Sequence, residues 1–298
     1  MRRCHALTAV ALLAAALTAA TASAVTSSAA RTSGSAAASC AKSALRLVTP
    51  GRLTIGTDNP AYPPWYAGGT PKGSSWKIND PDTGKGFEPA VAYAVAKKLG
   101  FSHSQVKWVY VPFTRSFAPG PKSFDFDINQ ISYTPARAKV VTFSTSYYNV
   151  NQALVVLAGT PISKVHSVAG LKNFRLGAQL GTTSYSYITD VIKPSKQPSV
   201  FPQNAGAVEA LKNKQIDGLV VDLPTAFYVT AVQVPHSKIL GQFPTSSGSG
   251  GYFGMVFAKG NPLATCVNGA LASLRRTGAL AKIQNQWLAK VTGAPILK

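Results

Sequence analysis

Acidic residues are scarce in this sequence: Asp and Glu number ten in 298 residues, against thirty Lys and Arg. Histidine occurs four times and cysteine three times. So few carboxylates leave no obvious Asp/Glu pair on neighbouring loop ends, which argues against a two-carboxylate hydrolytic site. Past the amino end the histidines are His103, His166 and His236, none at metal-ligand spacing to another His or Cys. All three read as exposed, and no metal is expected. No G-x-S-x-G elbow, Walker loop or G-x-G-x-x-G motif occurs. No repeat, coiled coil or late apolar run long enough for a membrane span is visible. Neither a catalytic residue nor a cofactor is nominated.

What is present begins with MRRCHALTAVALLAAALTAATASA. Arg2 and Arg3 form a basic start, Leu7 to Ala20 an apolar run, and Ala22-Ser23-Ala24 a small-residue cleavage site. Residues 1–24 are therefore expected to be a signal peptide, and the Ala/Ser-rich residues 25–40 a disordered leader. The chain is read as exported, to the periplasm or cell surface. Small residues before Cys40 leave a lipid anchor there as an alternative, although Cys40 lies far beyond the apolar run. After cleavage the cysteines are Cys40 and Cys266, and two cysteines in an exported domain read as a disulfide. The other reading is two unpaired thiols. Removal of Arg2 and Arg3 lowers the formal charge from +20 to about +18. Such a charge raises nucleic acid as a partner, but export and the scatter of the lysines speak against it. Solubility, or weak attraction to an anionic cell surface, accounts for it.

Along the chain, strand patterns alternate with helix patterns. RLTIGTD is a strand, FEPAVAYAVAKKLG a helix with Lys97 and Lys98 in its last turn and Gly100 closing it, and QVKWVYVPF a strand. FAPGPKSFDFDINQIS is a loop running into a strand, and TPARAKVV a helix. NQALVVLAG, the second half of SVAGLKNFRLGAQLG, PSVFPQ, IDGLVVD and GYFGMVFAKG are further strands. GTTSYSYITDVI, NAGAVEALKNKQ and PTAFYVTAVQ are helices, and the carboxyl-terminal segment is a helix pair broken near Gly278. This alternation predicts an α/β fold with parallel sheets and ligands at the carboxyl ends of strands.

Three junctions share a design in which a strand ends, polar residues follow and a helix starts. In QISYTPAR, Thr134 and Pro135 start the helix and place Arg137 at the third helical position, where a cation is unfavourable. A guanidinium there suits a carboxylate guest. In QLGTTS, Gly181 permits a tight turn and Thr182 or Thr183 can cap. In IDGLVVDLPTAF, Asp222 is either an N-cap or a carboxylate for a substrate ammonium. The alternatives for the other two are a solvent-facing Arg137 and plain capping by Thr182 and Thr183. A carboxylate site beside an ammonium site describes a free α-amino acid. The Pro-stiffened loop TDNPAYPPWYAGG adds Asp58, Tyr62 and Trp65, with core packing the competing role for Trp65.

Taken together, these segments resemble the extracellular solute-binding proteins of polar amino-acid ABC transporters, bacterial solute-binding family 3. The resemblance runs from Leu53 to Trp287 through RLTIGTDNPAYPPW, GFEPAVAYAVAKKLG, ISYTPARAKVVTFSTSYYNVNQALVV, GAQLGTTS, ALKNKQIDGLVVDLPTAFY, GYFGMVFAKGNPL and GALAKIQNQWL. It implies a type II periplasmic-binding-protein-like clamshell with two crossover strands as hinge. Lobe 1 would comprise residues 41–149 and 250–298, and lobe 2 residues 150–249. By position, Arg137 would take the ligand carboxylate with the backbone at Ser132 and at Thr182 or Thr183. Asp222 and the carbonyl of Gln130 would take the ammonium. Tyr62, Trp65 and Phe113 would line the side-chain pocket, with Asp58 at its far end. The implied partners are a small-molecule amino acid and a membrane permease, the binding protein itself a monomer. The chain departs from the family at Gln130, where small residues are common, in FAPGPKSFDFDINQ, and by an extra residue between Asp58 and Tyr62. Rival readings on the same fold are a cyclohexadienyl or arogenate dehydratase, with Asp58 or Glu88 as acid-base group, and a sensor ectodomain.

Overall fold

Five short runs rich in β-branched and aromatic residues build the first sheet of the computed structural model, which describes residues 40–243, 251–289 and 294–297. They are β1 (Leu53–Thr57), β2 (Val106–Tyr110), β3 (Phe126–Asp127), β4 (Val141–Phe143) and β12 (Val256–Ala258), in the order β2-β1-β3-β12-β4. The second sheet holds β6 (Gln152–Leu157), β7 (Leu176–Gln179), β8 (Ser199–Phe201), β9 (Gly218–Asp222) and β10 (Ser237–Gln242), in the order β10-β6-β9-β7-β8. A short antiparallel pair, β5 (Tyr148–Asn149) with β11 (Tyr252–Phe253), stands where the chain passes between them. The expected signal peptide and all but Cys40 of the expected leader lie outside the described residues.

Both sheets are mixed, which corrects the expectation of purely parallel ones. β1 runs parallel to β2 and β3, and β7 parallel to β8 and β9. The strands that enter a sheet just after a crossing, β6 and β12, pair antiparallel with their neighbours. A crossing chain arrives from the other lobe and so enters head to tail with strands that began locally. A second correction concerns QVKWVYVPF: the strand stops at Tyr110, and Phe113–Ser116 forms a single helical turn, α2. Pro112 lacks the N–H a ladder needs and instead precedes that turn.

Helices cover the sheets as the patterns require. The first is α1 (Phe87–Lys98), whose Phe87, Val91, Ala92 and Val95 are fully buried. The carboxyl-terminal pair is α7 (Leu263–Arg276) and α8 (Ala279–Leu288), separated by Gly278 at φ +70°. Gly278 adopts a left-handed conformation that a side-chain-bearing residue would enter only at a cost. In the second lobe β6 is buried along both faces. Ala153 and Val155 join one cluster, while Leu154 and Val156 join the other. The period of two thus explains why an uninterrupted apolar run forms a strand here. Around the β5–β11 pair, Trp65, Phe87, Tyr147, Tyr148 and Phe253 pack as an aromatic cluster with ring centroids 5.4–6.2 Å apart.

Cys40 and Cys266 form a disulfide that closes a sequence separation of 226 residues and ties the amino-terminal segment to α7. Chain entropy puts its contribution at about 5 kcal/mol at most. Replacing both cysteines by serine is expected to lower the melting temperature by on the order of 10 °C with ligand affinity unchanged. Equal melting of the oxidised wild type and the serine variant would refute this.

Candidate functional site in the interlobe cleft

The carboxyl ends of β1, β3, β7 and β9 converge on one cavity of about 100 Å³ that is partly open to solvent. All ten residues nominated from the sequence line it: Asp58, Tyr62, Trp65, Phe113, Gln130, Ser132, Arg137, Thr182, Thr183 and Asp222.

Arg137 sits in α3 (Pro135–Val140), whose N-cap Thr134 accepts the Arg137 N–H at 3.1 Å. The side chain is only 9% exposed, which disposes of the solvent-facing alternative. It turns back into the cleft. Nη1 donates to the Ser132 carbonyl at 2.6 Å and Nη2 to the Gly181 carbonyl at 2.7 Å, so one guanidinium touches both lobes. Its carbon lies 4.1 Å from the Phe117 ring centroid and 5.8 Å from that of Phe113. Burial lowers its pKa to about 10, opposed by the charge of Asp222. The ion pairs among the described residues are Arg175–Asp217 and Lys212–Glu209, both elsewhere. The Arg137 charge is therefore hydrogen-bonded but not neutralised.

Across the cleft, α4 (Thr183–Tyr187) begins after Gly181. Thr182 does cap it, accepting the Tyr185 N–H at 3.1 Å and donating to the Gln179 carbonyl at 2.7 Å. Thr183 Oγ1 meets Ser132 Oγ at 3.0 Å, a second contact between lobes. Asp222 precedes α6 (Leu223–Tyr228) but caps nothing with its side chain. Instead its carboxylate accepts Gln152 Nε2–H at 2.6 Å, and Gln152 Oε1 in turn accepts the Ser184 hydroxyl. Gln152 stands directly opposite Asp222 in the β6–β9 register, so the relay is set by strand pairing. Burial raises the Asp222 carboxyl to about 7, while the Gln152 bond and the Arg137 charge pull the other way.

In the first lobe, Asp58 accepts, among the described residues, only the Asn59 N–H, at 2.8 Å, and burial raises its pKa. Tyr62 is half-buried beside it. Trp65 packs as core, 2% exposed within the aromatic cluster, and also borders the cavity, where its indole N–H donates to Thr225 Oγ1 of the second lobe at 3.0 Å. Gln130 has φ +48°, and its amide turns onto Glu88. The cavity also takes in Asn129, Gln179, Gln203 and Asn204, none of them nominated from the sequence. Gln203 and Asn204 lie where β8 gives way to α5 (Asn204–Lys212), a further strand-to-helix junction on the same edge of the second sheet as those after β7 and β9. Applying the strand-end rule to every junction, rather than to three, finds them.

Residues 53–290 match the bacterial extracellular solute-binding proteins, family 3. The chain belongs to that family. Among its relatives, the ABC transporter arginine-binding protein 1 of Escherichia coli (strain K12) is 32% identical over 169 residues, 56% of this chain and 67% of the relative. A solved ancestral arginine-binding protein bound to glutamine superposes with a TM-score of 0.65 at 29% identity, covering 80% of this chain and 99% of the other. An ancestral amino-acid-binding protein described as a precursor of cyclohexadienyl dehydratase gives 0.64 at 26% identity, covering 80% and 95%. The two-lobed clamshell implied by the sequence resemblance is thus the fold of this family member, and amino-acid binding is its role.

Proposed function

We propose that the cleft binds a free, cationic α-amino acid and delivers it to the permease of an ABC transporter when the lobes close. The observation that carries this is the nearly buried Arg137 guanidinium, which has carbonyl partners but, among the described residues, no carboxylate within ion-pair distance. Arg137, helped by the backbone at Ser132 and at Thr182 or Thr183, takes the ligand carboxylate. Asp222 and the Gln130 carbonyl take the ammonium. The charged side chains on the lining are Arg137, Asp222 and Asp58. Once the first two meet a zwitterion, Asp58 remains, and a cationic side chain balances it. Tyr62, Trp65 and Phe113 give the aliphatic stem an aromatic wall. The arginine-binding relative supports this class, and the ancestral arginine-binding protein has been solved with arginine as well as with glutamine.

Bonds from Arg137 to Gly181, Ser132 to Thr183 and Trp65 to Thr225 can form only with the lobes together. Ligand that bridges the same groups shifts the open–closed equilibrium toward closure. The binding protein works outside the cytoplasm as a monomer. A Cys40 sulfur engaged in a disulfide has no valence left for a lipid anchor. The cleft binds its guest without catalysis. Of the two acid-base groups considered for a dehydratase, Asp58 lines the cleft, whereas the Glu88 carboxylate lies fully buried behind the lining with three donors upon it.

Titration calorimetry against the common amino acids and ornithine tests this. Arginine, lysine or ornithine are expected to bind at least tenfold more tightly than glutamine, and Asp58→Asn to shrink that ratio below threefold. Preference for an acidic or apolar amino acid would overturn the cationic assignment. Turnover of prephenate or arogenate would overturn the binding-only one.

A further inference from the structure

Among the described residues, five other than glycine have a left-handed backbone: Ile78, Gln130, Lys193, Lys214 and His236. Four of these lie at exposed positions, and Gln130 alone lines the cleft. Such a conformation presses the side chain's Cβ against the backbone, and a residue stays there only when its surroundings hold it.

The holder is visible. Glu88, in the first turn of α1, is fully buried. Its Oε1 accepts the Gln130 N–H at 2.7 Å and also the Tyr147 hydroxyl, and its Oε2 accepts the Gln130 side-chain amide. One carboxylate thus grips main chain and side chain of the same residue. Charge-assisted bonds of this kind are about twice as strong as neutral ones. Tyr147 directly precedes β5, and its N–H donates to the Phe253 carbonyl in β11, so the grip is anchored at the crossover pair.

We propose that Glu88 is a positioning residue for ligand binding: it pins Gln130 in the left-handed conformation that turns the Gln130 carbonyl toward the ligand ammonium. This rests on the amino-acid reading of the cleft. Glu88 itself stays off the cavity lining and acts through Gln130.

A double-mutant cycle, read by calorimetry with L-arginine or the tightest amino acid of the panel, tests it. Glu88→Gln keeps the shape but turns an amide N–H toward donors, and is expected to weaken binding by tenfold or more. Gln130→Gly needs no holder, because glycine enters the left-handed region freely. Its own affinity serves as the reference, and Glu88→Gln added to it is expected to cost less than threefold further. Equal losses from Glu88→Gln in both backgrounds would mark a merely structural acid and overturn the proposal. So would Glu88→Gln binding like wild type. Should Glu88→Gln fail to fold, Gln130→Ala decides, because it keeps the Cβ strain and loses the amide bond. A tenfold deficit relative to Gln130→Gly is expected, and equality of the two overturns the proposal. A wild type that binds no amino acid is a different result and would refute the function of the cleft instead.

Discussion

Arg137→Ala is expected to weaken amino-acid binding by a hundredfold or more while leaving a folded protein. Two effects combine. The guest carboxylate would enter a nearly dry site with no cation to meet it, and loss of one partner of a buried ion pair costs about 3–5 kcal/mol. At about 1.4 kcal/mol per decade, that is two to three and a half orders of magnitude in affinity. The same truncation frees the Ser132 and Gly181 carbonyls, one on each side of the cleft, and so removes a contact that closure itself uses. Arg137→Lys separates the two effects. It restores a charge, but an ammonium on a single stem cannot bond both carbonyls and still present a fork to the ligand. Recovery of about a tenth of wild-type affinity or less is expected. Calorimetry with the preferred ligand measures both variants, and circular dichroism confirms that they fold. Affinity within threefold of wild type in Arg137→Ala would remove the carboxylate assignment.

Binding should also strengthen steeply with pH between about 5.5 and 8, because of Asp222. In the empty cleft burial raises its carboxyl to about 7, so near neutrality it is part protonated. A ligand ammonium favours the carboxylate and must expel that proton. Affinity therefore falls as pH drops below 7, by up to about thirtyfold at pH 5.5 for a single linked proton. The stability of the empty protein runs the other way. A carboxyl whose folded pKa lies above its usual value contributes stability that is present in acid and is lost as pH rises through about 7. Glu88, also raised to about 7 by burial, adds to this stability trend but lies off the lining. The comparison with Asp222→Asn isolates the site. That variant should bind about a hundredfold more weakly at pH 8, show a shallower pH profile, and release fewer protons on binding than the wild type. Proton release is read from calorimetry in buffers of differing ionisation heat. A wild-type affinity constant across this range would refute the Asp222–ammonium pairing.

Legibility from sequence followed locality. Thr134-Pro135 as a helix start, Gly278 as a helix break and NQALVVLAG as a strand depend on residues near one another in the chain, and each has the expected structure. The strand directions were not legible. Whether β6 and β12 run with or against their neighbours depends on the side from which the chain enters the sheet, and the composition of a strand does not encode that. Asp222 shows the same limit at one residue. Cap and ligand carboxylate look alike in IDGLVVDLPT, and the choice rests on Gln152, seventy residues away in sequence and opposite in register.

What the sequence determined by itself was the family pattern, the α/β alternation and the residue types a zwitterion needs, because these are set by periodicity and chemistry along the chain. Tertiary structure alone decided that the Arg137 fork spans both lobes, that Trp65 is core and cleft wall at once, and that buried Glu88 bonds both the main chain and the side chain of Gln130. Each of those facts is a contact between distant segments, and only packing brings distant segments within hydrogen-bonding distance.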